Sequence, residues 1–281
     1  MALDFPNSPS NGEIYEGFVY DSTSQSWRVR PDSPTILVDY LVVGGGGSGG
    51  GGNGWRGGGG GAGGYRCSVT GELTGGGGSA EPKLATRIGD SLDVEVGAGG
   101  VWGNTSAQHG GRSRFGNIIA QGGGSGSRYD GSNYTVGGCN AGSGDNHGKG
   151  YYFLAEGFDG GISNQGAGGG GGAGAVGANG TTGYVAGAGG AGLSSSITGS
   201  AVTRAVGGGG AGYSQSAPAA NSGSGGVGSQ GTGQSGGSGV VIIRYTGSSP
   251  LTVGGSLTYT SSTVGSDTVY TFTAGTGTVT F

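Results

Sequence analysis

Apolar and polar residues alternate along this chain in short bursts, and most bursts are cut off by glycine. Glu13–Tyr20 reads as a strand, Asp21–Gln25 as a loop and Ser26–Arg30 as a returning strand, which makes a hairpin carrying a Tyr/Phe/Trp cluster. Ile36–Val43 is a β-branched run that passes directly into Gly44–Gly47. Similar segments follow at Gly64–Thr70, at Ser91–Val96 with clean period-two alternation, at Phe115–Ala120 and at Val240–Thr246. The C-terminal stretches Ser256–Thr260, Thr268–Thr273 and Gly277–Phe281 alternate threonine with apolar residues, as an antiparallel ribbon does. No helical period occurs. The pattern predicts an all-β protein: one β-sandwich from which glycine-rich excursions leave and return, plus an N-terminal β-hairpin too small to be stable alone.

Composition changes what the excursions must be. Of 281 residues, 80 are glycine and only 32% are apolar, so side-chain burial is a poor candidate for holding them. Glycine loses more backbone entropy on ordering than any other residue and buries nothing. Collagen is excluded because the glycines run in blocks such as Gly57–Gly61, without a strict triplet period, and there are 7 prolines in all. Strands bracketing the blocks argue against a linker. The state that fits is polyglycine II, an extended left-handed helix of three residues per turn. Glycine, unlike proline, keeps its N–H, so several such helices side by side can satisfy one another. The segment 160–239, whose single charged residue is Arg204, is the strongest stretch for this bundle. The expected organisation is an N-terminal docking hairpin at 1–35, a glycine-rich sandwich and polyglycine II domain at 36–246, and a Thr-rich C-terminal ribbon at 247–281.

A net charge of −4 with 10% charged residues offers no basic face for nucleic acid. No stretch reaches the roughly 20 apolar residues of a membrane helix, and Met1–Pro6 lacks a basic-then-apolar secretion signal, so synthesis in a cytoplasm is expected. The 2 cysteines, Cys67 and Cys139, are too few for a disulfide framework or a zinc site; two separately buried thiols are favoured over one mutual bond.

Catalytic patterns fail on context. Val42–Gly49 has the glycines of a dinucleotide loop, but more glycine follows where a helix N-terminus is required. Ser143–Gly150 lacks the first glycine and the final hydroxyl of a phosphate loop. His109 and His147 have no partner at ligand spacing, and Asp130, Asp145 and Asp159 lack the spacing of a calcium loop. No nucleophile elbow occurs. The expectation is a non-enzyme with no catalytic residue, cofactor or metal. The most informative island is Ser127–Asp159, where Arg128, Tyr129, Tyr134, Tyr151, Tyr152 and Phe153 interrupt the glycine background, with Trp55, Arg56 and Trp102 as weaker companions. Aromatic and cationic side chains on a stiff frame suit a receptor-contact surface. The same aromatics also suit sealing the end of the bundle.

Val38–Gly47, Val94–Gly100 and Gly236–Tyr245 together resemble the glycine-rich domain of phage tail-fibre and other virion structural proteins, framing residues 36–246. Ala2–Pro9, Gly12 and the Tyr15/Phe18/Tyr20/Trp27 cluster resemble the start of many cyanophage virion proteins. The resemblance implies a virion surface protein, a tail fibre or capsid-attached decoration, that leaves the host by lysis. Its bundle would be like that of the tip adhesins of T-even-type long tail fibres, whose loops bind a host glycan or protein. It implies docking to other virion proteins through 1–35, with Phe5, Tyr15, Phe18, Tyr20 and Trp27 as docking candidates, and a homo-oligomer. Related domains often place the Thr-rich segment before the strand matching Val38–Val43. Here it follows Tyr245, so the ribbon is expected either to fold back beside residues 36–43 or to be donated to a neighbouring copy. Donation would give a self-assembling extracellular filament. An ice-binding bundle is a third reading, weakened by the absence of regular threonine rows in 160–239.

Overall fold

The computed structural model describes residues 7–15, 18–29, 34–51, 54, 56–102, 107–127, 139, 156–247 and 249–281. The chain is all-β, as its alternation predicts. At the N-terminus β1 (Ile14–Tyr15), β2 (Phe18–Asp21) and β3 (Ser26–Val29) form an antiparallel sheet whose strands pair only with one another. The stretch read as one strand over Glu13–Tyr20 is therefore two: Ile14 pairs with Val19 and Tyr15 with Phe18. Trp27 sits against Tyr15 and Tyr20, with ring centroids 6.1 and 5.4 Å apart.

The remaining strands are β4 (Thr35–Val43), β5 (Tyr65–Cys67), β6 (Leu84–Arg87), β7 (Ser91–Glu95), β8 (Ser113–Phe115), β9 (Ile118–Ala120), β10 (Leu193–Ser195), β11 (Val202–Arg204), β12 (Val240–Thr246), β13 (Thr252–Gly255), β14 (Thr258–Val264), β15 (Asp267–Ala274) and β16 (Thr276–Thr280). A six-stranded sheet runs β14-β15-β12-β4, with β5 and β6 sharing the far side of β4. A five-stranded sheet runs β13-β16-β7-β8-β9. Phe115–Ala120, read as one strand, is the β8–β9 hairpin, turned at Gly116 with φ +56°, a conformation glycine adopts without cost.

The two sheets share one core. Val38, Tyr40, Val42, Val241, Ile243, Tyr245, Tyr270 and Phe272 face Val94, Phe115, Ala120 and Val279. The alternate residues of β4 and β12 are buried as well: Leu41, Val43, Val240 and Ile242 pack against Ala62, Ala173, Ala205, Cys139 and Ile197. Burial on both faces explains why Tyr40–Val43 is continuously apolar, whereas the first half of β4, with Leu37 exposed and Asp39 half-buried, alternates. Cys67 and Cys139 are separate buried thiols, each pushed up to about 12 by burial.

The C-terminal ribbon lies in its own chain's sheets. It does not run beside residues 36–43; β15 pairs with β12, and β12 separates it from β4. The last strand, β16, closes the other sheet against β7.

The glycine segments pack as a bundle of extended helices whose hydrogen bonds repeat every third residue. Gly44, Gly47 and Gly50 donate to the carbonyls of Gly64, Gly61 and Gly58. Gly45 and Ser48 donate to Gly111 and Gln108, and Gly46 and Gly49 to Gly237 and Gln234. The same segment accepts from Gly123 and Gly126, from Gly226 and Ser229, and from Gly100. Three neighbours receive and three donate, so six backbones surround residues 44–50, and the one side chain of that segment, the buried Ser48, hydrogen-bonds through its hydroxyl to Gln108. The space is closed to side chains: a Cβ added at Gly46 would fall on the carbonyl oxygen of Ser224, and one at Gly60 on that of Gly47. Residues 160–239 supply much of the bundle, as their composition predicts, but segments 44–50, 57–64, 97–100, 108–111 and 121–126 are equally part of it. The 160–239 stretch also contains the β10–β11 hairpin, which composition did not reveal.

Candidate functional site

Among the described residues, glycine segments leave the sandwich and return paired with one another, so the end of the bundle far from the sheets lies where they reverse. Gly44 at the end of β4 pairs with Gly64, and Gly50 pairs with Gly58. Gly50, Gly58 and the turns after Ile162, Gly180, Ala211 and Ser229 mark that far end.

Among the described residues, the far end carries large side chains that the bundle cannot bury. Tyr184 is 63% exposed and Val185 60% exposed. Tyr184 closes a short turn with φ +67°, a region that L residues enter at a cost of about 1–2 kcal/mol. Its position is fixed by Arg56, whose Nη1 donates to the Tyr184 carbonyl at 3.0 Å and whose guanidinium lies 4.6 Å from the ring centroid. Gln165 Oε1 accepts from the Gly183 amide in the same turn at 3.0 Å. Tyr213 is 42% exposed and its ring rests on Gly209, where a Cβ would collide with it. A backbone held in a costly conformation by an arginine that also covers the ring is a surface whose geometry is fixed within the chain itself.

Trp102 belongs to this end. It is half-buried, its ring meets Gly51, and its amide donates to Ser235 Oγ at 3.3 Å. The other receptor-contact candidates, Trp55, Arg128, Tyr129, Tyr134, Tyr151, Tyr152 and Phe153, lie outside the described residues, as do the docking candidate Phe5 and the loop carboxylates Asp130 and Asp145. Tyr15, Phe18, Tyr20 and Trp27 lie together on the N-terminal sheet. The sequence reading passed over Tyr184, Val185 and Tyr213. The available signal was size: they stand alone among glycine, alanine and serine.

The principal ionic cluster lies where the sandwich meets the bundle. Arg66 on β5 binds Glu81 through two hydrogen bonds of 2.5 and 2.7 Å, and Tyr40 Oη and Thr74 Oγ1 donate to the same carboxylate at 2.9 Å each. Burial pushes Glu81 up, but these donors outweigh it and hold the carboxyl below its ordinary value. Glu156 stands 3.8 Å from Arg66 and accepts from the Gln121 amide at 2.7 Å; burial dominates there and raises its pKa. An open cleft of about 430 Å³ runs beside the cluster, lined by Ser68, Glu72, Glu81 and Lys83 among others. Lys83 is committed to Asp39 at 2.8 Å, and Glu72 to the Ser196 amide and hydroxyl. These groups tie elements together. Among the described residues no group of three or more His, Cys, Asp or Glu side chains is arranged to hold a metal ion, and no helix is long and apolar enough to cross a membrane.

A two-sheet scaffold joined to a backbone-cored bundle, with aromatic side chains at the far end of that bundle, defines a glycine-rich all-β protein. The Glycine-rich domain family matches residues 22–246, and the chain belongs to that family. No curated protein and no solved structure matches it.

Proposed function

We propose that this protein is a surface component of a phage particle, a tail fibre or capsid-attached decoration, that holds the far end of its glycine bundle outward for contact with a host surface. The observation that carries this reading is the Arg56–Tyr184 pair: an exposed aromatic ring, locked in a strained turn, at the tip of a frame whose interior is hydrogen-bonded backbone. Such a frame extends aromatic contact area without the entropy cost that a flexible loop would add on binding. The N-terminal sheet, with Tyr15, Tyr20 and Trp27 gathered on it, serves as the attachment module to other virion proteins. Immuno-electron microscopy of native particles tests the assignment. Antibody against the protein should label a regular position on intact particles, and deletion of residues 1–35 should leave a folded protein absent from them. Label confined to lysate debris would overturn the virion reading, and normal incorporation of the deletion would overturn the docking role.

A further inference from the structure

Among the described strands of the sandwich, β14 alone is exposed on both faces along its length, with only its last residue, Val264, half-buried. It forms one edge of the six-stranded sheet and pairs only with β15. Among the described residues, no backbone hydrogen bond from any other segment reaches residues 258–264, which leaves a row of unmade N–H and C=O groups along the outer side of the strand. The turn decides which groups these are. Val264 and Asp267 close a hairpin loop of two residues, with Gly265 at φ +62°, so this pair exchanges both hydrogen bonds, as do the pairs made by Ser262 and Thr260. Tyr259, Ser261 and Thr263 therefore turn their amides and carbonyls outward.

The other edges of the sandwich are covered, charged or short. On β5 the Tyr65 amide donates to the Glu156 carbonyl at 3.1 Å, the Cys67 amide donates to Thr74 Oγ1 at 3.3 Å, and the Cys67 carbonyl accepts from the Glu81 amide at 2.8 Å. The Ile119 carbonyl of β9 accepts from Arg66 Nη1 at 3.1 Å. β6 follows Lys83 and ends in Arg87, and β13 has four residues, the last of them Gly255 at φ +84°. Charge, shortness and covering chain are the means by which proteins keep sheet edges from pairing with other molecules. β14 lacks them: residues 251–266 contain no charged residue and no proline, and the register shift at Thr258 leaves 259–264 regular. The strand also matches itself. With Ser261 opposite Ser261 of a second copy, the register that engages all three outward residues, Tyr259 stands opposite Thr263 and Thr260 opposite Ser262 on each side of a two-fold axis. Aromatic–β-branched and hydroxyl–hydroxyl pairs of this kind are favourable across antiparallel strands, and no charge meets its like. Tyr259 is 43% exposed although its ring centroid lies 5.7 and 5.8 Å from those of Tyr270 and Phe272, so a second copy would cover an aromatic ring that its own chain leaves half open.

We infer that β14 pairs antiparallel with β14 of a second copy about a two-fold axis at Ser261, joining two six-stranded sheets into one and making the protein a homodimer. A contact made by one strand from each copy is small, so sedimentation velocity on the full chain should show a monomer–dimer equilibrium with a dissociation constant of about 1–100 µM. Ser261→Lys brings two ammonium groups together at the axis and should weaken the dimer at least about tenfold, while Thr252→Lys, the same change on the β13 edge, should leave it unaltered. Both positions are exposed, so neither variant disturbs the monomer's own packing. Mild oxidation of Ser261→Cys should link two copies through the new thiol, because Cys67 and Cys139 are buried, and Thr252→Cys should stay unlinked. A wild type that remains monomeric up to about 200 µM would overturn the inference, since that lies above the whole expected range. Equal weakening by the two lysine substitutions would overturn it as well. The wild-type measurement uses the unaltered protein, so it decides the matter even if a variant folds poorly.

Discussion

In the sandwich, Phe272 fills the space between two sheets that side chains hold about 10 Å apart. In the bundle, Gly46 lies so close to Ser224 that not even a methyl group fits between the backbones. The first region gains its stability from apolar area removed from water. The second has almost no such area and relies on amide–carbonyl pairs repeating every third residue, with dispersion contacts from the close approach of the chains. Glycine is a liability in the first setting and a requirement in the second. The two meet at β4, whose last apolar residue, Val43, packs against bundle residues while Gly44 begins the polyglycine ladder.

The comparison can be broken from either side. Phe272→Ala removes a fully buried ring from the sandwich and should cost about 4 kcal/mol in denaturant unfolding. Gly46→Ala adds a single methyl group, yet it should cost about 3 kcal/mol, at the upper end for overpacking, because the obstacle is a carbonyl fixed in a ladder. Gly231→Ala is its control: a Cβ there meets nothing within 4 Å, and stability should change by no more than about 0.5 kcal/mol. Equal tolerance at Gly46 and Gly231 would mean that the bundle is loosely packed.

A smaller effect sharpens the junction. Glu81→Gln should cost about 2 kcal/mol at neutral pH by weakening the Arg66 pair. The folded pKa of Glu81 lies below its unfolded value, so its contribution is complete above the unfolded pKa of about 4.3 and fades as pH falls through the folded one. Glu156 has the opposite sign. Its raised pKa means that the folded state binds the proton more tightly, so its charge is a cost at neutral pH that disappears on acidification. Glu156→Gln, which keeps an acceptor for the Gln121 amide, should therefore be neutral or stabilising by up to about 1 kcal/mol. Urea titrations of both variants between pH 3 and 7 check the two signs.

How much of this was legible depends on how local each feature is. Ile36–Val43 and Val240–Thr246 declare themselves because burial on both faces over Tyr40–Val43 and Val240–Ile243 forces unbroken apolar stretches within them. The triplet hydrogen bonding of the bundle follows from what glycine can do once disorder and collagen are set aside. The pairings of Tyr15 with Phe18 and of Phe115 with Ile118 were missed because partners so close in sequence leave the alternating pattern intact. The β10–β11 hairpin, rich in serine and threonine, carries no alternation to detect. The tip was hidden for another reason: Arg56 meets Tyr184 across 128 residues, and that meeting is set by the lengths of separate glycine excursions rather than by any motif.

The central claim is that the interior of the bundle is ordered backbone, and amide hydrogen exchange reads it directly. The amides of Gly46, Gly47, Gly60 and Gly61, each donated to a carbonyl of a neighbouring segment, should exchange as slowly as those of Val241 and Ile242 in β12. Exchange of those glycines at unprotected rates while β12 stays protected would contradict the account.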